Sequence, residues 1–274
     1  MQIVRTIAEL RQILDAARCK GASVGMMGTS GAMHDGHLSL VRAAVAGNDV
    51  SAMFYGGSGG GPRLYDRDEN KDLGLCEAAG MQYAYVPSGD FMPQAPATVI
   101  ALPALFGGDN PGMEDPAHLH QITFAMAKLY NIFGPCRMYS GEKDWQQLAI
   151  FTRLAQDLSF PVTVVPCPTV RDADGLALSS RNQKLTPEQR AKAPLVYKAM
   201  QEAAAAIEAG ERSLAMIRAM VAERVAPLGE LGYLTAVDPA DISPKDPMSG
   251  DVRLLVSVKA GEIRLLDNIG ARAG

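Results

Sequence analysis

Apolar positions along the 274-residue chain recur first with the period of a helix and then with that of a strand, and the two alternate. TIAELRQILDAARCKG begins with the capping-box pair Thr6 and Glu9. It places Leu10, Ile13, Leu14 and Ala17 on one face before Gly21, which predicts an amphipathic helix. SVGMM then predicts a short buried strand, GTSGAMHDG a loop, and HLSLVRAAVAG a helix closed by Gly47. The alternation continues with VSAMFY as a strand, KDLGLCEAAG as a helix and MQYAYV as a strand. HQITFAMAKLYNIF then reads as a helix, RMYSG as a strand, QQLAIFTRLAQDL as a helix and VTVVP as a strand. This order specifies an α/β fold, a Rossmann-like parallel sheet with helices on both faces, and a first domain over residues 1–169.

After RDADGLALSSRN the texture changes. TPEQ starts a second capping box, with Pro187 at the first helical position, and leads into an Ala-rich helix expected to run to Gly210. A further helix from Ser213, the strand YLTAVDP, and the alternating pair VRLLVSV and EIRLLDNI, turning at Ala260 and Gly261, complete a smaller α+β cap domain over residues 170–274. No internal repeat is present, and the one low-complexity patch, GGSGGGP from Gly56 to Pro62, reads as a mobile surface loop.

Composition narrows the class. A hydrophobic content of 47% supports a core that needs no covalent staples. The net charge of -4 and the absence of a Lys/Arg cluster give no electrostatic footprint for nucleic acid, so small molecules are the expected partners. Cys19, Cys76, Cys136 and Cys167 lie far apart without CxxC spacing, which argues for reduced and mostly buried thiols over zinc or disulfides. No charged-then-apolar leader and no apolar run of membrane-spanning length is visible, so a cytoplasmic location is the default expectation.

Two of the four histidines stand three residues apart in MMGTSGAMHDGH, behind a run of small residues. A loop that leaves a strand and enters a helix aims unpaired backbone N–H groups and the positive dipole end at its guest, usually phosphate. His34 and His37 would share one face of the first turn and could donate to the same oxygens, while Gly36 lets a nucleotide come close to the backbone. Two surface histidines at a helix start are the ordinary alternative. SGEKDWQQL puts Lys143 and Asp144 at a strand's carboxyl end, where a lysine can meet phosphate and an aspartate ribose, although a solvated charged turn looks the same in isolation. In DGLALSSRN, two hydroxyls and an arginine could wrap a polyphosphate, or simply enter a helix.

Taken together, HDGHLSLVRAA, GEKDWQQLAI, PTVRDADGLALSSRN and RLLDNI, in this order and at these separations, resemble the pantothenate synthetase family, the pantoate and β-alanine ligases, over nearly the whole chain. The resemblance implies an ATP-dependent ligase of the HxGH-bearing nucleotidyl-transferring group. A carboxylate attacks the α-phosphate to give an acyl adenylate, and an amine then displaces AMP. It implies that His34 and His37 stabilise the reacting phosphates, His37 being the nominal proton donor, within a loop that includes Ser30, Gly31 and Gly36. It further implies ribose and phosphate contacts from Gly141, Lys143 and Asp144, adenine neighbours Val170 and Leu178, and closure over the triphosphate by Ser179, Ser180 and Arg181. Catalysis would rest on His37, His34, Lys143 and Arg181, with Gln147 gripping the acid, Mg2+ accompanying ATP, and a homodimer as the assembly.

The chain departs from the family at several points. Gly28 and Ser30 replace a proline and a methionine before HxGH, and the segment that normally reads like FVNPxQF is FYGGSGG. Tyr55 thereby takes the asparagine position and Ser58 that of an acid-gripping glutamine, so both become candidate acid contacts and half of the usual clamp is lost. In MEDPAHLHQI, Asp115 and Pro116 stand where the family tends to be basic. His118 and His120 there lack the third ligand that a metal site needs, and no protein-held metal is expected. Trp145 replaces a tyrosine and is expected to pack. The alternatives that remain are the same chemistry on a different acid and a nucleotide-binding protein without turnover; a tRNA synthetase fragment or a nucleotidylyltransferase is disfavoured, because the acidic balance argues against tRNA and the SSRN and GEKD segments fit the ligase better.

Overall fold

A computed structural model describes residues 1–56, 67–88, 91–92, 98, 100 and 116–274. Two compact units emerge. The first takes the described residues of 1–101 with Ala117–Glu142 and Ile150–Pro168, and the second is formed chiefly by Lys143–Ala149 and Thr169–Gly274. No single cut separates the two, because Lys143–Ala149 groups with the unit that resumes at Thr169. No helix among the described residues is long and apolar enough to cross a membrane.

The first unit is a six-stranded parallel sheet. Its strands are β1 (Gln2–Val4), β2 (Val24–Thr29), β3 (Val50–Tyr55), β4 (Tyr83–Tyr85), β5 (Cys136–Gly141) and β6 (Val162–Cys167), in the order β1-β4-β3-β2-β5-β6. The central strands β2 and β3 are buried on both faces and therefore read as near-continuous apolar runs. β6 lies on the edge, which is why it tolerates Pro166 and is only partly buried over most of its length. Between strands run the helices α1 (Ile7–Arg18), α2 (Asp35–Ala46), α3 (Glu69–Ala78), α4 (Pro116–Phe133) and α5 (Trp145–Asp157).

Most expected elements appear, with differences that have local causes. β1, three residues long, is too short to show a period. Thr6 caps α1 by accepting from the Glu9 N–H at 3.2 Å. Gly47 does end α2, yet its φ is −93°, so handedness is not the reason for a glycine there; a Cβ would collide with the Tyr139 hydroxyl. Cys76, Cys136 and Cys167 are buried free thiols and Cys19 is an exposed one. The segment Gly57–Pro62 lies outside the described residues.

The second unit packs α6 (Pro187–Lys192), α7 (Leu195–Glu208) and α8 (Leu214–Val225) with the antiparallel sheet β7 (Glu230–Val237), β8 (Gly250–Ala260) and β9 (Ile263–Ala273). The single helix expected from Thr186 to Gly210 is two. Pro194 has no N–H to continue the first ladder, so α6 ends and α7 restarts behind it. The capping box at Thr186 is complete: the Gln189 N–H donates to Thr186 Oγ1 at 3.2 Å, and the Thr186 N–H donates to Gln189 Oε1 at 2.9 Å. Ala199, Ala203 and Ala204 belong to the buried face of α7, which packs with Val252, Leu254, Val256 and Val258 of β8 in one core.

That core predicts a stability effect. Leu254 is fully buried. Leu254→Ala is expected to lower unfolding free energy by about 2 to 5 kcal/mol in denaturant titrations, against at most ~0.5 kcal/mol for Met216→Ala, whose side chain is largely exposed. Equal effects at the two positions would contradict this packing.

Candidate active site

Strand order marks where the sheet of the first unit can open a crevice. From β2 the chain proceeds to β3 on one side, while β5 pairs with β2 on the other, in parallel register at Gly25–Arg137 and Met26–Met138. This is the sheet's topological switch point, and a doubly wound sheet opens its ligand crevice at the carboxyl ends of such strands. The two chain segments that leave those ends are the HxGH loop after β2 and GEKD after β5.

After β2 the loop narrows into an unusual backbone. Gly31 has φ 103° and Ala32 has φ 54°, so two successive residues sit in the left-handed region, the second at a steric cost. The Gly31 N–H donates to Thr29 Oγ1 at 3.1 Å. The Ala32 and Met33 N–H groups both donate to the Asp72 carboxylate of α3, each at 2.8 Å. His34 follows as N-cap of α2, with extended φ −139°, and its Nδ1 accepts the Gly36 N–H at 3.1 Å. Such a cap needs a lone pair on Nδ1, which leaves the ring proton on Nε2 as a donor. The His37 ring lies 4.0 Å from that of His34, centroid to centroid. Ser30 is exposed beside them.

Tyr55 has an internal partner that the sequence does not announce. Its side chain is fully buried, and its hydroxyl donates to Asp72 Oδ2 at 2.8 Å while the Arg67 guanidinium covers the ring at 3.9 Å. Burial, followed by the bond to Asp72, holds the phenol proton well above the usual tyrosine range. The phenol is thus bonded to a carboxylate within the fold. Ser58 lies outside the described residues, as does the side chain of His118; His120 is half-buried on α4.

At the end of β5, a Cβ on Gly141 would meet nothing within 4 Å, so the backbone faces open space there. In the second unit, Lys143 Nζ lies 3.3 Å from Asp144 Oδ1, with Asp144 exposed and Gln147 half-buried. Trp145 packs as expected: the Arg253 guanidinium stacks on its ring at 3.8 Å. The segment PTVRDADGLALSSRN forms a narrow turn in which the Leu178 N–H donates to the Val170 carbonyl at 2.9 Å, setting these two residues side by side. Ser179 caps the 3-10 turn Ser180–Lys184, its Oγ accepting the Arg181 N–H at 3.3 Å. No partner for the Arg181 guanidinium occurs among the described residues.

What holds these pieces was not assigned from the sequence. Arg171 makes a bidentate pair with Asp267, at 2.6 and 2.8 Å, and stacks on Tyr197 at 3.6 Å. Asn268 donates to the Lys143 carbonyl at 2.8 Å and accepts from Arg253 Nε at 2.7 Å. The available signal was RLLDNI itself, two polar residues inside an apolar strand. Asp72 gave less warning, as one acid among many on a helix.

The family model for pantoate-beta-alanine ligase matches residues 2–270. Pantothenate synthetase 1 of Frankia alni is 44% identical over 96% of this chain and 96% of its own length. The crystal structure of the pantothenate synthetase from Thermus thermophilus superposes with a TM-score of 0.85 at 35% identity, covering 98% of this chain and 99% of the other. The pantoate-beta-alanine ligase of Francisella tularensis, solved with beta-gamma ATP and beta-alanine, shares the fold at TM-score 0.79 and 24% identity, over 98% of this chain and 97% of that one. With its HxGH loop and GEKD segment leaving the two strands of the switch point, this chain belongs to the pantoate-beta-alanine ligase family.

Proposed function

We propose that the chain condenses pantoate with β-alanine at the expense of ATP, through a pantoyl adenylate. The observation that carries this reading is the capped His34 at the N-terminus of α2, beside His37, on a loop leaving the switch-point strand β2. A helix start with two imidazoles offers donors to phosphate oxygens and needs no protein nucleophile.

In the first step a pantoate carboxylate oxygen bonds to the α-phosphorus as the bond to the pyrophosphate oxygen breaks. His34 Nε2–H and His37 meet the negative charge that builds on those oxygens. Lys143 and Arg181 neutralise the leaving pyrophosphate, with the Ser179 and Ser180 hydroxyls on its tail. Gly141 and Asp144 take the ribose, and Val170 and Leu178 flank the adenine. In the second step the amine nitrogen of β-alanine attacks the activated carbonyl carbon, AMP leaves with the bonding pair, and the nitrogen gives up a proton. Positioning and charge compensation supply the acceleration.

Magnesium fits this arrangement as a passenger of ATP. Among the described residues no group of three His, Cys, Asp or Glu could hold a metal alone, so such an ion would draw its ligands chiefly from phosphate oxygens and water. The ion would offset phosphate charge. A nucleotide- and acid-binding role for residues 1–169, a cap role for 170–274, a homodimer and a cytoplasmic location complete the proposal.

A second reading keeps the chemistry and changes the acid. Its support is the FYGGSGG segment, where Ser58 stands for a glutamine and Tyr55 turns to Asp72, leaving Gln147 as the retained amide of the clamp. Pyrophosphate release with ATP and a panel of small acids, with and without β-alanine, separates the two readings. Release with pantoate alone supports the first, release with another acid the second, and none with any acid defeats both.

Two variants test the machinery. His37→Ala is expected to slow pyrophosphate release by roughly 10²-fold or more while the thermal transition stays in place. A near-normal rate would remove His37 from the mechanism. Gln147→Ala should raise KM for the acid by about tenfold, as loss of one hydrogen bond to a charged group would, with KM for ATP little changed. An effect confined to ATP would reassign Gln147 to the nucleotide.

A further inference from the structure

Asp72 is a buried acid on α3, next to a core that includes Leu73 and Cys76 of the same helix and Tyr55 of β3. A carboxylate in such a place costs several kcal/mol unless its lone pairs are filled. Three donors fill them: the Ala32 and Met33 N–H groups and the Tyr55 hydroxyl, each at 2.8 Å. Cys76 beside it brings no second charge, since burial, and then the charge of Asp72, push its thiol up to about 12. Arg67 closes the group from the other side, its guanidinium on the Tyr55 ring and its side-chain carbons against the Gly31 backbone. A Cβ at Gly31 would come within 2.9 Å of Arg67 Cγ and 3.1 Å of Asp72 Oδ2.

The two N–H groups that Asp72 binds belong to the residues just before His34, and one of them, Ala32, holds a left-handed φ that an L-residue adopts only under constraint. Without an acceptor, these amides gain nothing from pointing inward. The backbone would relax toward an ordinary turn and rotate the N-cap that follows. The Tyr55 hydroxyl donates to Oδ2, the oxygen that also accepts from Ala32, and so orients the carboxylate for both amides.

We infer that Tyr55, Asp72 and Arg67 form a clasp that positions the HxGH loop, with Asp72 and Tyr55 as positioning residues acting through the 31–33 backbone on the His34 imidazole. Tyr55 serves the phosphate side of the reaction and leaves the acid to other groups. The inference rests on the reading that the histidine pair meets the reacting phosphates.

The test combines kinetics with amide exchange on Tyr55→Phe, Asp72→Asn, Asp72→Ala and the double variant Tyr55→Phe/Asp72→Ala. The amide side chain of Asp72→Asn keeps one acceptor oxygen, so its loss should fall between those of Tyr55→Phe and Asp72→Ala. In pyrophosphate release, Tyr55→Phe is expected to lower kcat roughly tenfold and Asp72→Ala roughly a hundredfold, the scale of an ångström's misplacement, with KM for the acid unchanged. Because the hydroxyl works only through the carboxylate, the double variant should be no slower than Asp72→Ala alone. A rise in acid KM for Tyr55→Phe with kcat intact would overturn the inference and restore Tyr55 as an acid contact; multiplicative losses in the double variant would also overturn it. Exchange at Ala32 and Met33 should speed up in Tyr55→Phe and Asp72→Asn while α7 is unaffected. Unchanged exchange there defeats the clasp even if activity falls. A parent chain that releases no pyrophosphate would remove the functional reading, and the exchange rates alone would then decide the clasp.

Discussion

A parallel sheet discharges every strand into a loop at the same edge, and at the switch point two such loops are left without a covering crossover between them. The first unit is organised around this constraint. β2 and β3 are largely apolar because both faces are covered, and this leaves their carboxyl ends as the place where polar chemistry can gather. The helix that follows β2 begins with a cap that is itself an imidazole, so one side chain both ends the loop and offers a donor to a ligand.

Polar residues buried next to these loops act on backbone. Asp72 gathers two amides before His34, and Asn268 holds the Lys143 carbonyl. On β9, Asp267 and Asn268 are neighbours in sequence and therefore point to opposite faces. Asp267 sits opposite Val256 on the helix-covered face and takes Arg171, while Asn268 sits opposite Leu255 on the other face and takes Lys143 and Arg253. One strand thus fixes two separate chain segments, those of Lys143 and Arg171. Removing one partner of a pair such as Arg171–Asp267 leaves a buried charge, a loss of about 3 to 5 kcal/mol, far more than a surface ion pair contributes.

Much of this is legible in the sequence, and the reason differs by element. Strands flanked by glycine and helices begun by Thr186 or Thr6 announce themselves through local chemistry, so the alternation and the HxGH loop could be read directly. Pro194 carried its own signal, but the alanine content around it masked the break. Tyr55 is a different case. Its position in the family pattern suggests a substrate contact, whereas its hydroxyl bonds Asp72, 17 residues further along and invisible to any local rule. Arg171 and Asp267, 96 residues apart, fall under the same limit: a long-range pair leaves no periodicity.

That separation matters while the chain is being made. Arg171 emerges 96 residues before Asp267, and at about 5 to 20 residues per second the interval is roughly 5 to 20 s. During it the parallel sheet has all six strands, but the turn carrying Val170 and Leu178 still lacks its anchor, and the Lys143 carbonyl lacks Asn268. A nascent chain at this stage would hold all the strands of its parallel sheet and a 170–178 turn without its anchor, so this turn is fixed only once the last strand of the second unit has paired with β8.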